Sequence, residues 1–266
     1  MSLFLKTQNI LDEVLNASVH LGSLLIPARS LQTVLGKYCQ HLYVWTHVEE
    51  YKVRLVGTAI PIRYQNRFLL LCSRHQLKDV NPQDVCLMYP DGSLAVSCAG
   101  FRAYNYNDEV IEEKGDEFDL AVFDFTEPCN EHPKLKNLFF EFRSAPPDCL
   151  SNHILALILV GFPSEDQNYD LYENNHIGSV KRNLVALPEN QPSDSCLLKA
   201  KFIEPIDFNP DGLSGSPVFV IQLSPNKKRR DVYLAGMALR SGQNEFYFIK
   251  SGYIESFLNS VAIIPS

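Results

Sequence analysis

Short apolar runs punctuated by turn residues constrain what this chain can fold into. From about Tyr43 onward the segments YVWTHV, YKVRLVGTAIPI, RFLLLCS, DVCLMY, LAVSCAGF and DLAVFDF are rich in β-branched and aromatic residues and read as strands. A stretch rich in charge and proline follows at 127–148. After it come HILALILVGF, HIGSVKR, CLLKAKFIEP, SPVFVIQL, DVYLAGMAL and EFYFIK. Two successive blocks of about six short strands predict an all-β fold of two six-stranded antiparallel β-barrels, with room for a cleft between them. The predicted division is an N-terminal extension over 1–42, a first barrel over 43–140 and a second over 141–266.

Helical spacing occurs at both ends. Phe4, Ile10, Val14, Ala17 and Leu21 recur at intervals near a helical turn, which predicts an N-terminal helix over 3–21, limited by Pro27. Ser251 is a candidate cap for a closing helix that carries Ile254, Phe257, Leu258 and Ala262.

Composition excludes several functions. A net charge of −7 and a pI near 5.5 leave no broad basic face for phosphates, so no nucleic-acid partner is expected. No run approaches the ~18 apolar residues needed to cross a bilayer, and polar residues interrupt the N-terminal segment, so neither a membrane span nor a secretory signal is expected. The seven cysteines show no C-x-x-C pair and no metal-ligand spacing with histidine. They are expected to be reduced thiols in a cytoplasmic protein, with no metal and no cofactor.

The chemistry concentrates in three segments. In DGLSGSPVF, Gly212 and Gly215 flank Leu213 and Ser214, so the backbone can turn sharply and aim the N–H groups of Gly212 and Ser214 at one point, as an oxyanion hole requires. Pro217 leads from this turn into an apolar strand. In LLLCSRHQL, His75 lies just past an apolar strand, where it can act as a base. In GDEFDLAVFDF, Asp119 precedes another strand and can orient a histidine, with Asp116 and Asp124 as alternatives. Cys72 and Cys196 lack the flanking glycines of Ser214 and read as packing residues, and NKKRRD at 226–231 reads as a solvated hairpin.

In the order His75, Asp119, Ser214, these segments resemble the motifs of the chymotrypsin-like (trypsin-fold) serine peptidases: a histidine after an apolar strand, D-[LI]-A-[LV], and G-x-S-G-[GS]-P. Subtilisin-like chains run Asp, His, Ser, and α/β-hydrolases run Ser, Asp, His. VGTAIPI, ILALILVGFP, IGSV and LAGMALRSG extend the resemblance from about Tyr43 to the C-terminus. It implies a serine endopeptidase acting on proteins or peptides through a Ser214–His75–Asp119 triad and an acyl-enzyme. It also implies a substrate pocket walled by Phe208, Asp211, Ala238, Leu239 and Arg240. Leu213 stands where the digestive enzymes carry an aspartate that pairs with a freed N-terminus, and no Ile-Val-Gly-Gly-like site is present. That activation switch is therefore not expected; with no secretory signal expected either, the resemblance is to an intracellular bacterial type, regulated by other means, such as a protein partner docking on residues 3–21. The alternative is a protease-fold module that binds a peptide or partner without catalysis.

Overall fold

The computed structural model describes residues 18–104, 116–144, 153–170, 176–189, 196–224 and 229–260. Strands β1 (Ser18–Leu21) and β2 (Leu24–Pro27) form an antiparallel hairpin, followed by the short helix α1 (Leu31–Gly36). The first half of the chain then supplies β3 (Gln40–Trp45), β4 (Val53–Tyr64), β5 (Arg67–Cys72), β6 (Val85–Met88), β7 (Ala95–Ser97), β8 (Gly100–Ala103) and β9 (Ala121–Asp124). Helix α2 (Thr126–Glu131) and the short strand β10 (Phe140–Glu141) lead onward. The second half supplies β11 (Ile154–Gly161), the separate hairpin β12 (Gln167–Asp170) and β13 (His176–Ser179), and then β14 (Arg182–Pro188) and β15 (Leu197–Phe202). It ends with β16 (Pro217–Leu223), β17 (Arg230–Ser241), β18 (Glu245–Lys250) and helix α3 (Ser251–Ser260).

In the second half, six antiparallel strands run in the order β16-β11-β14-β15-β18-β17, and pairing of β16 with β17 closes them into a barrel. In the first half the order is β7-β6-β3-β4-β5-β9-β8, a curled sheet whose two edge strands do not pair. Two closed barrels were expected, and only the second closes by a strand ladder. The reason lies at Cys98 and Ala99, which join β7 on one edge to β8 on the other. The Cys98 N–H donates to the Val85 carbonyl at 3.1 Å and the Ala99 N–H to the Asp124 carbonyl at 2.8 Å, so the chain itself crosses the seam.

Alternation along the central strands assigns their side chains to three cores. Phe68, Leu70 and Cys72 of β5, with Ala121 and Phe123 of β9, fill the first sheet. Leu157 and Leu159 of β11, with Val218 and Val220 of β16, fill the second barrel. The intervening residues Leu69, Leu71, Val122, Ile158, Val160 and Phe219 meet in a core between the two halves, which Ile254, Phe257 and Leu258 of α3 join. Runs such as FLLLC and ALILV are unbroken because both faces of these strands are buried.

The N-terminal expectation is corrected in part. Ser18–Leu21 is strand, with His20 of β1 opposite Asp231 of β17, while residues 3–17 lie outside the described set. Gly22, at a φ of 61°, opens the two-residue link to β2. Among the described residues no helix is long and apolar enough to cross a membrane.

Candidate functional site

Pairing between β5 and β9 brings the first two candidate residues together. Cys72 lies opposite Ala121, so the turn after β5 and the residues before β9 emerge at one end of the ladder. His75 sits in the short helical turn Arg74–Leu77. Asp119 accepts twice from His75, through Oδ1 from the backbone N–H at 2.8 Å and through Oδ2 facing Nδ1 at 2.6 Å. With Asp119 only 8% exposed, this carboxylate fixes the ring's position and makes Nδ1 the protonated nitrogen. The hydrogen bond to Asp119 raises the His75 pKa, burial opposes it, and the charges of Asp119 and Asp116 add to the rise. Asp119, rather than Asp116, therefore orients His75: Asp116 forms an ion pair with Arg240, and Asp124 one with Arg67. The bulky Arg74 turns away from the ring, with its guanidinium on the Tyr104 carbonyl at 2.8 Å.

Ser214 lies in the turn before β16. Gly212 and Gly215 hold φ of 91° and 80°, values that disfavour a side chain. The space is also closed: a Cβ at Gly212 would come within 2.6 Å of the Phe162 carbonyl oxygen, and one at Gly215 would run into the Thr58 carbonyl oxygen. The carbonyls of the turn are held from the first half of the chain. Thr58 Oγ1 donates to the Gly212 oxygen at 2.7 Å and Gln76 Nε2 to the Ser214 oxygen at 2.5 Å. From β17, the Ala238 carbonyl accepts the Gly215 N–H at 2.8 Å. No described group accepts from the N–H of Gly212 or of Ser214, so both donors remain for a ligand.

The Ser214 hydroxyl donates to the Leu239 carbonyl at 2.7 Å and makes no hydrogen bond with His75. His75 and Ser214 nevertheless line one open cleft of about 620 Å³. Val56 and Gln76 from the first half also border it, as do Gly212 and Arg240 from the second.

The remaining expected residues divide. Asp211 is at the cleft, exposed, with its carboxylate on the Asn209 amide at 3.0 Å. Leu239 offers the cleft its carbonyl while its side chain packs between the halves. Arg240 is exposed at the rim, over the Tyr247 ring as well as paired with Asp116. Ala238 is fully buried and contributes backbone only. Phe208 does not wall the cleft. It is 8% exposed in the core of the second barrel, with the Arg182 guanidinium 5.3 Å above its ring. Leu213 fills that same core completely buried, and Ser216 is a small buried residue against Gly161.

Other reactive groups are quenched by burial. The Cys72 thiol is pushed far up by burial and by Asp119 beside it, which leaves no thiolate. Cys196 is buried, and the six described cysteines are free. Burial and then Lys181 hold His41 down at about 3; its ring stacks on Phe162 at 3.6 Å. Among the described residues no group of three or more His, Cys, Asp or Glu is placed to hold a metal ion. Arg230 and Asp231 of the NKKRRD segment open β17 in a β16–β17 hairpin.

No protein-family model matches the chain, and no curated protein does.

Proposed function

We propose that the chain is a serine endopeptidase in which Ser214 is the nucleophile, His75 the general base and Asp119 the group that orients the base. The observation that carries this reading is the doubly anchored His75–Asp119 pair facing, across one cleft, a serine on a turn with two free N–H donors. Rotation of Ser214 about χ1 takes its hydroxyl from the Leu239 carbonyl toward the unprotonated Nε2 of His75. As Oγ attacks a peptide carbonyl, its proton passes to Nε2, and the oxyanion forms against the N–H groups of Gly212 and Ser214. The imidazolium then protonates the departing amine, leaving an acyl-Ser214 ester. Water, deprotonated by His75, releases the acid and restores the serine. The motifs that resemble the trypsin-fold peptidases support the same assignment. The six described cysteines are free, and this accords with a reducing cytoplasm as its setting.

A second reading is a peptide-binding module of the same fold, and the hydrogen bond from Ser214 to Leu239 in place of His75 favours it. A fluorophosphonate probe separates the two. The peptidase is covalently labelled at one site, labelling disappears in Ser214→Ala, and a labelled sample of Ser214→Ala or an unlabelled folded wild type sinks the proposal.

A further inference from the structure

Gln76 follows His75 in the same turn, yet its side chain leaves the first half of the molecule and ends on the second. Its Nε2 donates to the Ser214 carbonyl at 2.5 Å. Two glycines leave room for this crossing: a Cβ at Gly57 would run into the Gln76 amide, and one at Gly215 would lie 2.9 Å from its Oε1. Oε1 is buried and has no partner among the described residues, so a polar group has been taken from water with only half of its hydrogen bonding restored. A residue that served packing alone would be better filled by leucine or methionine.

The bond acts on a particular peptide. The Ser214 oxygen and the Gly215 N–H belong to one planar unit, which Gln76 holds at the oxygen and the Ala238 carbonyl holds at the N–H, at 2.8 Å. Fixing that plane from both ends fixes ψ of Ser214, and with it the direction in which the Cα–Cβ bond leaves the turn. The base and the nucleophile's peptide are thereby keyed through adjacent residues of one short helical turn, rather than through the whole contact between the halves.

We propose that Gln76 is a positioning residue that sets the Ser214 peptide, and so the hydroxyl, against His75. The catalytic side of this inference rests on the peptidase reading; the positioning of the peptide does not. In Gln76→Met, which keeps the length and removes the donor, the rate of fluorophosphonate modification of Ser214 falls 10- to 100-fold. Its pH midpoint, set by His75 and Asp119, stays in place. Gly57→Ala, which displaces the amide, slows the reaction in the same direction, and the double variant is no slower than the slower single one. An unchanged rate in Gln76→Met, a moved midpoint, or multiplied losses in the double variant overturns the role.

A second readout keeps the two ideas apart. Gly215 reports on the peptide plane whether or not the protein cleaves anything, so its amide ¹⁵N resonance shifts in Gln76→Met more than any resonance remote from the cleft. In Gln76→Glu it returns toward the wild-type position only at acid pH, where the carboxyl is protonated and donates again. A Gly215 resonance indifferent to Gln76 overturns positioning outright. An unlabelled wild type with a shifted Gly215 refutes the peptidase and leaves positioning standing.

Discussion

His75 keeps its proton to higher pH than a free histidine, because the hydrogen bond to Asp119 outweighs the cost of burial. On the proposed peptidase reading the general base must be neutral, so labelling of Ser214 is expected to rise with pH through a midpoint above 6.5. Asp119→Asn lowers that midpoint and slows labelling by about 10³-fold or more, since an amide can hold the wrong tautomer. A wild-type midpoint at or below 6.5 would count against the pairing. The same shift has a stability signature. The contribution from a raised histidine pKa is complete below the unfolded value and is lost as pH climbs through the folded one. The melting-temperature gap between wild type and His75→Ala therefore narrows as pH rises past 6.5; a widening gap contradicts it. Leu213 makes the opposite point about resemblance. Where the digestive enzymes carry a carboxylate, this chain has a fully buried leucine in an apolar core. Leu213→Asp is expected to cost roughly 3–5 kcal/mol in urea unfolding, the scale of an unpaired buried charge, and a variant of wild-type stability would refute that environment.

At the scale of elements, the turn between Gly212 and Gly215 is constrained twice, by positive φ and by closed space. Gly215→Ala adds a side chain at positive φ and drives it into the Thr58 backbone, which cannot give way as a flexible side chain would. A loss of about 2 kcal/mol or more is expected by chemical denaturation, and a loss below about 0.5 kcal/mol would show that the turn relaxes freely. This turn was legible because glycine spacing reports backbone need directly. His75 and Asp119 were legible because each adjoins an apolar run that becomes a strand. Gln76 was not, since a glutamine after a histidine has no pattern, and its role depends on Gly57 and Ser214, which are remote in sequence. Phe208 pointed the wrong way for a similar reason: whether a loop side chain faces a cleft or a core depends on what lies beneath, here the apolar core of the second barrel. Ala17 and Leu21 carry helical spacing into the segment SVHLGSLLIP, but Gly-Ser between Leu21 and Leu24 is also a hairpin signal, and pairing with β2 and β17 decided the outcome at Ser18–Leu21.

At the scale of the whole molecule, the core between the halves is built from strands of both. Neither sheet can melt without uncovering it, so one cooperative unfolding transition is expected. The single tryptophan, Trp45, lies on β3 in the first half, whereas Phe219 lies on β16 in the second. Phe219→Ala should destabilise by about 3–5 kcal/mol and move the Trp45 fluorescence transition together with the far-ultraviolet circular dichroism transition. A fluorescence transition left in place would mean that the halves unfold independently. The double-sided strands also bear on how the protein is made. A ribosome delivers β4, β5 and β9 long before β16, β17 and α3, so Ile60, Leu69, Leu71 and Val122 emerge with one face of their sheet unpartnered. During that interval the nascent chain presents a greasy surface to chaperones and to its neighbours on the polysome, and it is spared only when the last helix has left the exit tunnel.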